Sequence, residues 1–91
     1  MSDNMLGMDV QAGDSLARKL HDESQKIEQI IRDVDGQVKG LVWKGKDADS
    51  FKQDWEGTHK RALNQAKDLL QRNSDKLKKE VQQQRQTSGM A

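Results

Sequence analysis

From Val10 to Leu41, positions 10, 13, 17, 20, 24, 27, 31, 34, 38 and 41 hold Val, Gly, Ala, Leu, Ser, Ile, Ile, Val, Val and Leu. The alternating three- and four-residue spacing is a heptad seam, the pattern of a helix that packs lengthwise on another helix. Its small residues come early and its β-branched residues late. Leu16 and Ile30 flank the seam and widen it to a bundle-type face. A second seam begins after Gly45. Ala48, Phe51, Trp55, Thr58, Ala62, Ala66, Leu69, Asn73, Leu77 and Val81 recur three or four apart. The chain has no Pro, so nothing breaks either helix from within.

These patterns predict an all-α fold with a single domain over residues 1–91. Helix one spans about residues 10–40, a turn covers 41–46, and helix two spans about 47–84. Residues 85–91 are expected to fray. Asp14 or Asp9 is the candidate cap of helix one. Asp47 and Asp49 sit where the macrodipole of helix two favours negative charge, and Lys76, Lys78 and Lys79 lie toward its opposite end.

A connection this short makes the two helices antiparallel neighbours. Folding the chain at Lys44 pairs residue i with about residue 88 − i. In that register Val34 meets Trp55, Ile27 meets Arg61 or Ala62, and Leu20 meets Leu69. The expected core of the hairpin, and of any dimer built from it, is Leu20, Ile27, Ile31, Val34, Val38, Phe51, Trp55, Ala62 and Leu69. Beyond about residue 76, helix two is expected to overhang its partner. Gly45 supplies the positive φ that a tight interhelical turn usually needs. Trp43 either plugs the hairpin tip or forms part of a partner-facing groove.

Leu, Ile, Val and Phe make up only 17 of 91 residues, while 16 Lys and Arg balance 15 Asp and Glu. A low apolar count with balanced charge fits amphipathic helices wetted on most of their surface. Residues 1–58 carry 8 basic and 12 acidic groups, and residues 59–91 carry 8 basic and 3 acidic groups. The basic second half reads as a solvated helix face or as a surface for an acidic partner. With no Cys, disulfides and thiolate metal sites are excluded. No window approaches about 18 consecutive apolar residues, so no transmembrane segment is expected. The opening MSDNMLGMDV lacks a basic region followed by an apolar one, so a Sec-type signal peptide is not expected.

A hairpin with seams this thin leaves much of its apolar surface wet. Small scaffolds of this kind need a staple or a partner. Without Cys or a metal site, association is the remaining route.

The stretch "LVWKGKDADSF" at 41–51 places Trp43-Lys44-Gly45 between two heptad-patterned helices, with Phe51 six residues after the Gly. In a chain of this length the arrangement resembles the WxG family of small ESAT-like (early secreted antigenic target) proteins exported by type VII secretion systems. The resemblance covers nearly the whole chain. It implies a helical hairpin that pairs with itself or with a cognate family member into an elongated four-helix bundle. It also implies recognition by the secretion ATPase, with Trp43 and Gly45 in the recognised turn, and export of a folded dimer that is cytoplasmic beforehand. Many actinobacterial members carry a Tyr-x-x-x-Asp/Glu export signal after helix two. This chain has no Tyr, so a partner supplies that signal or another C-terminal signal replaces it.

No catalytic or cofactor motif is present: no phosphate loop, Rossmann glycine pattern, G-x-S-x-G elbow or HExxH. His21 and His59 fall far apart in the hairpin, and the nearby Asp22, Glu23, Asp54 and Glu56 read as solvated helix charge. A non-enzyme that needs no cofactor or metal is expected. The competing readings are a basic helical nucleic-acid binder and a cytosolic coiled-coil adaptor. The first is disfavoured because both Trp lie outside the basic region.

Overall fold

The computed structural model describes residues 7–90, with side chains described through Thr87. Among these residues the ordered structure is entirely helical. Helix α1 is Val10–Gly40. After a non-helical connection come α2, Lys46–Asp54, a single π-turn, Trp55–His59, and α3, Lys60–Met90. The last three elements form one rod that runs antiparallel to α1. The hairpin measures 68 × 18 × 17 Å. Its radius of gyration is 20.1 Å, against about 12 Å for a compact domain of this length.

Asp9 caps α1: its carboxylate accepts a hydrogen bond from the Ala12 N–H at 3.1 Å. Asp14, the other candidate, instead pairs with Arg85 across the hairpin. At the other end Leu41 is extended, with φ −73° and ψ 125°. Gly45 then turns the chain into α2 with φ 117° and ψ 178°, a conformation essentially restricted to glycine. This meets the expectation of positive φ there. Gly45 offers no side-chain cap, and its carbonyl accepts from the Asp49 N–H at 3.0 Å. Asp47 and Asp49 lie in the first turn of α2, where the exposed N–H groups favour acids.

The register differs from the one expected. Asp35 meets Trp55, Ser24 meets Lys67, and Ala17 meets Ser74. Residue i therefore faces about residue 91 − i rather than 88 − i. Two features cause the shift. The non-helical connection carries the chain about one turn past the end of α1 before α2 begins. The π-turn, in which the Lys60 N–H bonds back to the Trp55 carbonyl, then inserts one further residue.

The shift moves the start of the expected overhang from about residue 76 to about residue 82, beyond the residue that faces Val10 at the start of α1. Val81 is fully buried, and Arg85 still pairs with Asp14. Helix α3 is continuous to Met90, past the boundary expected at 84. The Gln-rich stretch contains no Pro, and the Thr87 hydroxyl donates to the Gln83 carbonyl at 2.9 Å. Ala91, the end of the segment expected to fray, lies outside the described residues, as does the extreme N-terminus.

The core is thin and changes character along the rod. Toward the termini it is built mostly from small residues, Gly13, Ala17, Ser24 and Ser74, together with Val81 beside Gly13. The helices there lie close enough for each to receive a serine from the other. Ser74 Oγ donates to the Ala17 carbonyl at 2.7 Å, and Ser24 Oγ donates to the Lys67 carbonyl at 3.1 Å. Toward the tip the buried residues are Ile31, Ala48 and Trp55.

Candidate interaction surface

Past the π-turn, the residues that face α1 are one position later than the heptad reading placed them. Leu63, Lys67, Leu70 and Ser74 line the inner side, and Leu77 and Val81 rejoin the expected seam. The extra residue rotates the following helix by roughly one residue's 100°. Of the residues expected to form the core, Ile31 and Trp55 are buried within the hairpin, and Leu20, Ile27 and Val38 are half-buried. Val34, Phe51, Ala62 and Leu69 are exposed. For these four, burial within a single hairpin is corrected. Phe51 and Leu69 are 51% and 52% exposed.

The exposed apolar residues are not scattered. By helical spacing, Leu16, Leu20, Ile27, Ile30, Val34, Val38 and Leu41 share one flank of α1. Phe51, Ala62, Ala66 and Leu69 share the adjoining flank of the second rod. Together they form a broad apolar face that runs the length of the hairpin and is open to solvent.

The opposite face is polar and bridged across the helices. His21 Nδ1 lies 2.7 Å from Gln71 Oε1. Lys67 Nζ donates to Glu28 at 2.9 Å, and Lys60 Nζ donates to Asp35 at 3.1 Å. Arg85 and Asp14 continue the series. One broad face is thus satisfied within the chain, and the other is not.

Asp35 is the hub of the polar face. It accepts from Lys39 Nζ at 2.9 Å, and its Oδ1 accepts from both Trp55 Nε1 and Lys60 Nζ at 3.1 Å. Lys39, then Trp55 and Lys60, hold its carboxyl well below the usual carboxylate range. The Lys60 ammonium is raised in turn, mainly by its hydrogen bond to Asp35. Glu28 is lowered, chiefly by Lys67 and secondarily by Arg32. The heptad reading missed this hub. Asp35 follows Ile31 by one helical turn, and a charged residue at that spacing was the available signal.

At the tip, Trp43 packs on Phe51 with ring centroids 5.7 Å apart and planes tilted by 53°. The pair borders a shallow groove of about 300 Å³ that also involves Val34, Val38 and Leu41. Trp43 is 39% exposed and its neighbour Val42 is 90% exposed. The connection therefore brings Trp43 and Gly45 together at one end of the open face. The other expected residues extend along both helices.

His21 and His59 do not meet, and no three metal-ligating side chains converge among the described residues. No described helix is long and apolar enough to cross a membrane. Nine ion pairs link described residues, and none involves Arg61, Arg72, Lys76, Lys78 or Lys79. These five cations lie on α3. No family model matches the chain, and no curated protein or solved structure is similar to it.

Proposed function

We propose that this chain is a small interaction protein, one half of a paired helical hairpin, and a substrate of a type VII secretion system. The observation that carries the reading is the open apolar face that ends in the Trp43-Lys44-Gly45 turn. A face of this length on a chain without staples requires a covering surface. The turn joins the helices through a glycine at positive φ, and Trp43 stands half-exposed beside it, within reach of a partner. The resemblance to the WxG family supplies the secretion route and the ATPase as the machinery that reads the turn. In this reading the protein acts by protein–protein contact, without catalysis, cofactor or metal. It is cytoplasmic before export and leaves the cell by the type VII route.

The test is export itself. A tagged chain is followed in culture supernatant, with a cytosolic marker as lysis control, in cells with and without the type VII ATPase. The expected result is supernatant protein that disappears with the ATPase. Retention in the cell in both strains rejects the reading and leaves the cytosolic adaptor. The unpaired cations of α3 favour one further measurement, a salt titration of DNA binding. A steep salt slope would assign those cations to phosphate contacts.

A further inference from the structure

We infer that the outward face of α3 binds the phosphate backbone of a nucleic-acid duplex, without regard to sequence, through Arg61, Arg72, Lys76 and Lys79. This goes beyond the secretion reading and does not depend on it.

The four side chains follow one another at intervals of 11, 4 and 3 residues, so helical geometry sets them on one face of α3. All four are exposed. By the same geometry that face lies opposite Ser74 and Val81, the buried residues that pack on α1. Lys76 borders the apolar flank, seven residues on from Leu69. Arg61, Arg72 and Lys79 turn away from that flank, so a cover on it leaves them in solvent.

Ion pairing separates these cations from the others. On α1, Lys19, Lys26, Arg32 and Lys39 each pair with a carboxylate three or four residues away. On α3, Lys60, Lys67 and Arg85 reach acids of α1. The four outward cations form no ion pair among the described residues. The acids nearest to them are drawn aside. Asp68 lies 3.9 Å from Lys67, and Asp75 accepts from Gln71 at 3.0 Å. Glu80 falls toward the apolar flank. Helix stability does not account for the stripe. Like charges three and four residues apart oppose a helix. The macrodipole favours cations only in the last turn, which on α3 holds none.

The makeup of the stripe selects the partner. Gln65, Gln83 and Gln86 continue it and add neutral donors of the kind that meet phosphate oxygens. No apolar or aromatic side chain stands among the cations. A protein partner would need an apolar anchor, a bilayer surface would need apolar residues to enter it, and a single strand would need a stacking platform. The lack of aromatics that disfavours base reading leaves phosphate contact untouched, because counterion release drives it. From Arg61 to Lys79 the stripe is about 27 Å long at 1.5 Å per residue, the length of about eight base-pair steps. Toward the tip the rod turns acidic with Asp54 and Glu56, which confines the contact to α3.

Fluorescence anisotropy of a labelled mixed-sequence DNA duplex twice that length, titrated with the full chain across a salt series, tests this. Log affinity should fall linearly with log salt, with a slope of about −3.6 for four phosphates. Arg72→Gln with Lys76→Gln should weaken binding by about tenfold at low salt and reduce the slope by about two. Both sites are exposed and Gln is a good helix former, so helix content and melting temperature should stay at wild-type values. Lys19→Gln with Lys26→Gln removes the same net charge from α1 and should leave the slope unchanged. An RNA duplex of equal length should bind comparably, because the contacts are to phosphates alone; rejection of one duplex overturns that. A flat salt dependence, or an equal loss in the two double variants, overturns the stripe as the site. Tighter binding to the single strand or to phosphatidylglycerol vesicles than to the duplex overturns the choice of partner. Export is scored separately. A duplex-binding chain that stays in the cell sinks the secretion reading alone, and an exported chain that ignores the duplex sinks this inference alone.

Discussion

The Ser74 hydroxyl donates to the main-chain carbonyl of Ala17 at 2.7 Å, and both residues are fully shielded from water. A hydroxyl can reach a carbonyl already used by its own helix only if the two backbones lie close together. Ala17 permits that approach, and Ser74 occupies the space left. The bond therefore reports the close packing of the terminal half as well as adding to it.

Replacing Ser74 by Ala removes the donor and leaves the Ala17 carbonyl its helical partner. The expected loss is about 1 kcal/mol. Ser74→Leu forces bulk into a site with no room, at a cost of roughly 1–3 kcal/mol or more. Thermal melts of the two variants should rank wild type, Ala, Leu. A Leu variant as stable as wild type would show that the helices separate freely there.

Gly13 and Gly45 are both required, for different physical reasons. The sequence places Gly13 on the seam of helix one, near its start. The structure buries it against Val81. A Cβ at Gly13 would sit 2.8 Å from Val81 Cγ2 and 2.7 Å from Met8 Sδ. At Gly45 a Cβ meets open space, but φ is 117°. Gly45→Ala should cost about 1–3 kcal/mol through backbone strain, whatever its neighbours. Gly13→Ala should cost stability through the clash, and trimming Val81 to Ala should recover part of it. A double-mutant cycle measures this coupling. Additive effects would mean that the Gly13–Val81 contact does not set the spacing.

The sequence carried the hairpin because its seams, the absence of Pro and Gly45 all pointed to the same chain path. Helix α1 begins and ends where the pattern placed it. The register was less legible. Heptad spacing assumes unbroken α-geometry, and the π-turn at Trp55–His59 violates it by one residue. Ala62 and Leu69 therefore read as inner residues and lie on the outer apolar flank. Leu63, Leu70 and Ser74 carry the inner contact instead. No local signal in Trp-Glu-Gly-Thr-His announces the extra residue. It becomes visible only where the Lys60 N–H bonds back to the Trp55 carbonyl. The apolar flank was half legible, because Leu16 and Ile30 already widened the seam beyond what one partner helix can cover.

The polar face makes stability depend on acid. Asp35 is depressed by Lys39, Trp55 and Lys60, and Glu28 is depressed chiefly by Lys67. A carboxyl with a lower pKa folded than unfolded contributes stability above its unfolded pKa. That contribution is lost as pH falls through the ordinary carboxylate range toward the folded value. Lys60 is raised, so its share is present at neutral pH and is lost only in strong alkali, above the ordinary lysine pKa. The melting temperature should hold across neutral pH and fall from about pH 5 downward. Asp35→Asn should lower it at pH 7 and flatten the acid slope. An Asn variant with the wild-type slope would place the acid sensitivity elsewhere.

The three large aromatics divide the labour between folding and contact. Trp55 is 7% exposed and tied to Asp35 through Nε1, so Trp55→Ala should cost about 3–5 kcal/mol. Trp55→Phe should recover part of the packing without the hydrogen bond. Phe51 and Trp43 cover each other at the tip while remaining half-exposed, so each truncation should cost far less than that of Trp55. Their expected effect lies in association and export. Trp43→Ala should keep its helix signal in circular dichroism, melt within a few degrees of wild type, and accumulate inside the cell. Phe51→Ala should weaken self-association more than folding, because it removes apolar area from the open face. A Trp43 variant that unfolds like the Trp55 variant would make Trp43 a core residue. One that folds and appears in the supernatant at wild-type levels would reduce the Trp43-Lys44-Gly45 turn to a chain reversal, and the search for an export signal would move to the end of α3.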